Sequence, residues 1–163
     1  MRLRRLVASG FGTRLGARAI SSRSVEDLEP ETRLRFRKFY DACRRVGINL
    51  LVTSTYRSPK EQAELYAKGR TAPGPIVTNA KPGTSYHNCR RAADVVPVIN
   101  GKPVWDDKDT WPKVGAVAAE CGLEWGGFWT KFQDRPHVQL SVCKVHGKQK
   151  ALHFTESGVC GAA

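Results

Sequence analysis

The chain lacks a long apolar segment. Among its 163 residues no run approaches the roughly 20 apolar residues that a membrane-spanning helix needs, so the sequence predicts a soluble protein without membrane insertion. It also lacks the apolar stretch of a secretory signal peptide, because Leu6-Val7-Ala8 is too short. At this length we expect one domain with a modest core, and we expect a monomer.

The cysteines show no recognisable pairing pattern. There are five, an odd number without C-x-x-C spacing, so a disulfide framework is not implied. Cys43 and Cys121 fall on the apolar stripes of predicted helices and are expected to be buried free thiols. Nothing beside Cys89 indicates an activated nucleophile, so a Cys/His peptidase is not favoured.

Acidic residues are missing from the first 25 positions, which contain six arginines and half of the net charge of +12. This composition superficially resembles a transit peptide, but we interpret residues 1–23 as a basic, disordered extension. A basic chain favours a polyanionic partner, and nucleic acid is one such polyanion. We identify no nucleic-acid-binding motif, so we do not predict a nucleic-acid partner.

Periodicity and turn signals predict alternating helices and strands between residues 24 and 142. Ser58-Pro59-Lys60-Glu61 has the pattern of a capped helix start, and Asn100-Gly101 is typical of a tight hairpin turn. The polar C-terminal tail, 143–163, contains no motif that we can interpret. The predicted elements are helices at 30–46, 59–68 and around 114–121, strands at 48–54, 93–99 and 136–142, and a long loop at 70–87.

The chemistry-bearing residues are two histidines and two aspartates. His87, Asp94 and His137 form a three-ligand set for zinc, which leaves a fourth position for water. Asp134, three residues before the last ligand, provides the second carboxylate that a zinc hydrolase needs as general base. A catalytic metal site is therefore the sharpest hypothesis that these residues support.

Each of these residues also has a plainer interpretation. Asp94 lies in the apolar run of a predicted buried strand, where an unpaired carboxylate is costly, so it needs a metal, backbone donors, or an ion pair with Arg57 or Arg90. A single histidine in a strand, such as His137, is usually a core or edge residue. His87 lies in a glycine-containing loop and could be solvated. His146 and His153, in the tail, are interpreted as surface residues.

Residues 53–140 resemble a family of zinc peptidases that includes VanY-type D-Ala-D-Ala carboxypeptidases and phage L-alanyl-D-glutamate endopeptidases. Order, spacing and residue type agree over more than half of the chain, and residues 24–52 resemble the endolysin branch. The matching stretches are Thr53-Ser54-Thr55-Tyr56-Arg57-Ser58 with Gln62, Ser85-x-His87 with Ala92-x-Asp94, and Gly122-Leu123-Glu124-Trp125-Gly126-Gly127 with Trp129, Phe132, Asp134 and His137.

The resemblance implies a role for each matching residue and a fold. Zinc would be bound by His87, Asp94 and His137, with Asp134 as the base. Arg57 would stabilise the oxyanion, and Ser85 with Gln62 would hold the substrate. The implied fold is a small α+β domain at 24–142, in which an antiparallel sheet carries the zinc site and is flanked by helices.

Two positions depart from the family pattern. Arg90 stands where the family usually has glycine, which suggests a positive φ or close backbone packing that does not suit arginine. It could distort the loop that carries His87, or extend outward toward acidic wall polymer. Phe128 stands where the endolysin branch often has a polar residue, which could alter the rim of the cleft.

The resemblance implies a zinc metallopeptidase that hydrolyses peptidoglycan stem peptides, as an L-alanyl-D-glutamate endopeptidase of the phage endolysin type. A D-Ala-D-Ala carboxypeptidase and a non-catalytic wall-binding protein of the same fold are the alternatives, with a basic nucleic-acid-binding domain behind them. The partner would be bacterial peptidoglycan, another polyanion that suits the net charge. The protein would be made in the bacterial cytoplasm and act at the periplasm or cell wall.

Overall fold

The computed structural model describes residues 21–141 and the backbone of two short strands beyond them. Three helices and seven strands lie in these residues: α1 (Pro30–Arg45), β1 (Asn49–Ser54), α2 (Pro59–Ala67), β2 (Ala92–Ile99), β3 (Lys102–Pro103), α3 (Thr110–Glu120), β4 (Glu124–Trp125), β5 (His137–Gln139), β6 (Leu152–Phe154) and β7 (Cys160–Ala162). The predicted α+β class, with an antiparallel sheet beside helices, is confirmed.

An open antiparallel sheet of five strands forms the centre of the fold. Its order is β1-β2-β5-β4, and β3 pairs with the end of β2 through the predicted hairpin turn. Asn100 and Gly101 both have positive φ in that turn, as a two-residue turn of this kind requires. β2 is therefore paired on both sides, and its centre lies at the middle of the sheet.

Helices α1 and α3 cover one face of this sheet. Alternation along β2 directs Ala93 and Val95 toward the helices and Asp94 toward the opposite face. Gly115 allows a close approach of α3, because a Cβ there would lie 2.1 Å from the ring of Trp125. The largest side chains of the resulting core are Phe36 and Phe39 from α1 and Trp111 from α3. The helices bury one face and leave the other available for a site.

The boundaries of several elements differ from the prediction. The third helix begins at Thr110, four residues before its apolar stripe, and the last strand of the sheet is shorter than predicted. β4 was not predicted, because two residues give no period. Ser58 caps α2 as predicted, since its side chain accepts a hydrogen bond from Glu61 N–H. In the tail, where we predicted no element, β6 and β7 pair with each other.

The chain joins the fold before residue 24. Ser22 exchanges backbone hydrogen bonds with Thr55 and Tyr56, at 2.7 and 2.8 Å. Residues 1–20 and most of 143–163 lie outside the described residues, so the division into extension, domain and tail stays a prediction. No helix among the described residues is long and apolar enough to cross a membrane.

The cysteines are partly as expected. Cys43 is a buried free thiol, and burial raises its pKa to about 12. Cys121 is also free but only half-buried. Cys89, by contrast, is disulfide-bonded, which the sequence did not indicate because spacing alone does not reveal a single bridge.

Candidate metal and active site

The register of the sheet places two of the three candidate ligands opposite each other. Asp94 of β2 pairs directly with His137 of β5. On the other side of β2, the pairing with β1 slips between Val52 and Ser54, so that Ser54 also faces Asp94. Two residues 43 positions apart in the chain thus become cross-strand neighbours, which explains why their spacing in the sequence has no local pattern.

His87 comes from the long loop and is fixed by the end of β1. Its Nδ1 lies 2.7 Å from the carbonyl oxygen of Thr55, and its side chain is only 2% exposed. Because a carbonyl oxygen can only accept, Nδ1 must carry the hydrogen. In the neutral ring the lone pair is then on Nε2, which faces Asp94.

His137 has the opposite tautomer. Its Nε2 lies 2.9 Å from Oε1 of Gln139, which accepts its hydrogen. The Nδ1 lone pair of the neutral ring is therefore directed at Asp94 and His87. Each imidazole is thus held by one nitrogen and presents the other to the same point.

The three presented atoms form a small triangle. Asp94 Oδ1 is 3.2 Å from His87 Nε2 and 3.1 Å from His137 Nδ1, and the two nitrogens are 3.2 Å apart. Around a tetrahedral zinc with bonds of about 2.0–2.1 Å, neighbouring ligand atoms are separated by about 3.3 Å. The side chains present therefore fit such an ion, and His87, Asp94 and His137 are positioned to bind a metal.

The electrostatics of the triangle favour a cation. Burial alone would raise the pKa of Asp94, but His87 and His137 more than offset it and hold that pKa well below its usual range. Burial would likewise lower the pKa of His137, yet its hydrogen bond to Asp94 and the charge of that carboxylate leave the pKa raised. Asp94 is thus ionised, and Nδ1 of His137 attracts either a proton or a metal ion.

Arg57 binds the second oxygen of the Asp94 carboxylate. Its guanidinium donates to Asp94 Oδ2 and to Gln62 Oε1, each at 3.1 Å. Asp94 therefore does pair with an arginine, as one of the alternatives proposed. The arginine is Arg57 and not Arg90, and Asp94 contacts the two imidazoles as well. Oδ2 of Asp94 accepts from Arg57, whereas Oδ1 is one of the three atoms of the triangle. The ion pair with Arg57 therefore leaves Oδ1 available to bind a metal.

Gln62 supports Arg57 from inside the protein. Its side chain is fully buried, and its amide nitrogen donates to Ala80 O at 2.8 Å and Thr78 Oγ1 at 3.3 Å. With both ends of the amide used, Gln62 fixes the guanidinium and the 78–80 segment. The resemblance implied that Gln62 helps to hold the substrate; in the structure its hydrogen bonds position Arg57.

The triangle opens into a cleft of about 590 Å³. Asp134, Arg57 and Ser85 line the cleft together with the three candidate ligands. Aromatic side chains form much of the remaining wall, including Trp105, which is 50% exposed, and Trp129. The structure therefore brings the sequence-predicted site residues to one cavity, except Gln62, which lies behind it.

Asp134 is held beside the triangle by close backbone packing. Its N–H donates to the carbonyl of Gly126 at 3.0 Å, and its own carbonyl accepts from His137 N–H at 3.2 Å. A Cβ at position 126 would lie 2.5 Å from Asp134 O, so glycine is required there for this approach. Burial, with a contribution from Asp94, raises the pKa of Asp134, which suits a proton acceptor.

Arg90 has a positive φ, one of the two features that a family glycine at this position suggests. Its φ is +60°, and its guanidinium lies 4.1 Å above the ring of Tyr56 and donates to Asp27 O at 2.9 Å. The side chain folds back on the domain, and the His87 ring keeps its bond to Thr55. Phe128 is exposed and packs edge-on against Trp125.

Several residues around the site were missed or given no role. Thr55 acts through its backbone carbonyl, for which no sequence signal exists. Gln139 and Glu124 both lie within the range 53–140 that resembles the family, but only the strand register shows that they are paired. Gly126 could have been suspected, because glycine inside a short apolar segment often marks close approach.

Comparison with known proteins decides the family. The chain is 38% identical over 123 residues to the peptidoglycan L-alanyl-D-glutamate endopeptidase CwlK of Bacillus subtilis, a match that covers 70% of this chain and 74% of that protein. The chain belongs to the M15 peptidase family. Consistently, a model of this family, described as D-alanyl-D-alanine carboxypeptidase, matches residues 78–140, which include all three candidate ligands.

Another curated relative and two solved structures are also similar to this chain. The L-alanyl-D-glutamate peptidase of Listeria phage A118 is 32% identical over 121 residues, which are 72% of this chain and 40% of that protein. Among solved structures, Serratia marcescens L-Ala D-Glu endopeptidase ChiX has a TM-score of 0.54 at 25% identity, covering 74% of this chain and 88% of ChiX. VanY with bound Zn(II) has a TM-score of 0.53 at 17% identity, covering 69% and 71%.

Proposed function

We propose that the chain is a zinc peptidase that hydrolyses peptidoglycan stem peptides at the L-alanyl-D-glutamate bond. The observation that carries this proposal is the triangle of His87 Nε2, Asp94 Oδ1 and His137 Nδ1 at 3.1–3.2 Å, open to the cleft. The M15 relatives that match over most of this chain cleave this bond according to their names.

The proposed chemistry divides among the residues of the cleft. A zinc ion in the triangle would supply Lewis acidity and lower the pKa of water toward ~7. Asp134 accepts the proton of the attacking water and passes it to the leaving amine, a task favoured by its raised pKa. Arg57 lines the cleft, and its positive charge would stabilise the oxyanion that develops on the scissile carbonyl.

Substrate positioning would come from Ser85 and the aromatic wall. The hydroxyl of Ser85 accepts from His87 N–H at 3.3 Å and can still donate toward the cleft. Gln62 would act indirectly, by fixing the guanidinium of Arg57. The basic surface would retain the enzyme on anionic wall polymer, and we propose that it acts there as a monomer.

The alternatives differ in product. A D-Ala-D-Ala carboxypeptidase is favoured by the description of the matching family model. A wall-binding protein without activity is the other alternative, and it was suggested by Arg90, whose side chain contacts Tyr56 and Asp27.

The proposal is tested by digesting purified peptidoglycan with zinc-loaded protein, with and without a chelator, and identifying the fragments by mass spectrometry. New amino termini on D-Glu that disappear with chelator are expected. Free D-Ala would instead establish the carboxypeptidase. An absence of products from folded, zinc-loaded protein would contradict both activities. Glu120→Gln changes an exposed carboxylate on α3 that does not line the cleft. It should give the same products as the wild type and serves as the control for variants of the site carboxylates.

A further inference from the structure

The hydrogen bonds around Gln139 have a direction that the neighbouring groups impose. Its amide nitrogen donates to Glu124 Oε2 and to Ser141 Oγ, each at 3.2 Å, while Oε1 faces His137 Nε2 at 2.9 Å. An ionised carboxylate can only accept, so the NH₂ group must point at Glu124. The carbonyl of the amide is then left for His137.

This direction determines which nitrogen of His137 faces the triangle. Because Oε1 of Gln139 can only accept, the hydrogen of the neutral imidazole is placed on Nε2 and the lone pair on Nδ1. A flipped amide would present N–H to Nε2 and move the imidazole hydrogen to Nδ1, the atom that must bind the ion. His137 and Gln139 are both buried, so water has little access to replace this bond.

Glu124 is anchored by more than Gln139. Its other oxygen accepts from Trp129 Nε1 at 2.6 Å, and its Oε2 also accepts from the hydroxyl of Ser141. Trp129 in turn lies against His137, with ring centroids 5.2 Å apart. Glu124 and Gln139 are also direct cross-strand partners of β4 and β5. The carboxylate of Glu124 therefore accepts from the amide of Gln139, the hydroxyl of Ser141 and the indole of Trp129, which it holds around the imidazole of His137.

We propose that Gln139 is a positioning residue that selects Nδ1 of His137 for metal binding, and that Glu124 sets the orientation of Gln139. This rests on the proposed metal site, and it adds residues that touch neither the metal nor the substrate. Groups that orient a metal-bound histidine commonly change metal affinity 10–100-fold when removed. The unusual element here is that a neutral amide relays the orientation from a carboxylate.

Gln139→Leu tests the first step, because leucine has a similar size and cannot accept a hydrogen bond. We expect zinc affinity, measured by competition with a chromogenic chelator, to fall about 10–100-fold. In metal-free protein at a pH where His137 is neutral, ¹⁵N–¹H correlation spectra should show Nε2–H in the wild type and a tautomer mixture in the variant. Unchanged affinity and an unchanged tautomer would overturn the proposal.

A charge exchange tests the second step. Gln139→Glu alone places two carboxylates together and should weaken zinc binding. Adding Glu124→Gln restores a donor opposite an acceptor, so the double variant should recover at least half of the logarithm of the lost affinity, whereas the Nε2–H tautomer should be present in both variants because a carboxylate at position 139 still accepts from Nε2. Failure to recover would overturn the role of Glu124, and Glu120→Gln should match the wild type.

The two proposals fail differently. If the wild type binds no zinc, the proposed function fails, whereas the tautomer measurement still reports on Gln139 because it needs no metal. If the wild type binds zinc and Gln139→Leu binds it equally well with the same tautomer, only the positioning role is lost.

Discussion

The unprotonated nitrogens of His87 and His137 face each other at 3.2 Å. Thr55 and Gln139 hold the hydrogens of the two rings on their outer nitrogens, so neither facing nitrogen of the neutral rings can donate to the other. An oxygen of Asp94 completes the ring of lone pairs. Such an arrangement is repulsive by itself and becomes favourable when a cation, either a proton or a metal ion, lies between the three atoms.

Replacing His87 by alanine should abolish both metal binding and hydrolysis. The variant leaves two ligands, so zinc affinity should fall by more than the ~100-fold that loss of an orienting group can cause. Equilibrium dialysis against a zinc buffer measures this directly. Because His87 lies in a loop between α2 and β2 and belongs to no helix or strand, far-UV circular dichroism should remain that of the wild type. Full zinc occupancy in this variant would contradict the ligand assignment.

Asp134→Asn should separate binding from chemistry. Asparagine keeps the shape but accepts no proton at neutral pH, so we expect kcat to fall by about 10²–10⁴-fold while zinc remains bound. The pair of measurements is turnover of a soluble stem peptide and zinc content of the same sample. Wild-type turnover by the fully loaded variant would remove Asp134 as the base.

Zinc affinity should decrease on acidification, beginning above pH 6.5. Burial opposes the charged ring, but the hydrogen bond that protonated His137 donates to Asp94 and the charge of that carboxylate outweigh it and raise the pKa of His137 above its ordinary value of 6.5, so its proton persists to a higher pH. A metal ion must displace that proton, hence the affinity is full above the raised pKa and falls about tenfold per pH unit below it. Calorimetry in buffers of different ionisation enthalpy measures the proton release. Affinity independent of pH from 5 to 8 would contradict this competition.

Arg90→Gly and Arg90→Ala should affect stability differently. Glycine relieves the positive φ, worth about 1–2 kcal/mol, but loses the contact with Tyr56, worth about 0.5–1 kcal/mol, and the hydrogen bond to Asp27 O, worth about 0.5–1.5 kcal/mol, so the net change should be small. Alanine keeps the strain and loses both contacts, so the free energy of unfolding should fall by about 1–2 kcal/mol. Urea unfolding compares the two.

Both Arg90 variants should retain hydrolysis close to wild type, because the guanidinium points toward Asp27 and Tyr56 and does not line the cleft. A strong gain of activity in Arg90→Gly would mean that arginine does distort the loop of His87.

The residues that meet in the site could be predicted from the sequence, but their geometry could not. The ligand set and base rested on residue type and on resemblance, while the placement of Asp94 opposite His137 depends on strand register, which no local pattern reveals. The role of Gln62 is the clearest example. Its place in the first turn of a capped helix was predictable, but its burial against Thr78 and Ala80 depends on the path of the long loop.

The fold shows the same limit. Helices α1 and α2 were predictable from apolar spacing and from caps, because those signals are local. The two-residue strand β4 exists only through its pairing with β5, so Glu124 received no role from the sequence. Of the two alternatives for position 90, positive φ or close backbone packing, the structure has the positive φ, but the contact of Arg90 with Tyr56 needed tertiary structure.

We propose that hydrolysis depends on one ion bound by the triangle of His87, Asp94 and His137. A stepwise zinc titration of metal-free protein, in which stem-peptide hydrolysis and bound zinc are recorded together, tests this dependence. We expect a rate that rises in proportion to bound zinc and stops rising at one ion per chain. Hydrolysis by the metal-free protein, or a first bound ion that leaves the rate at zero, would contradict it.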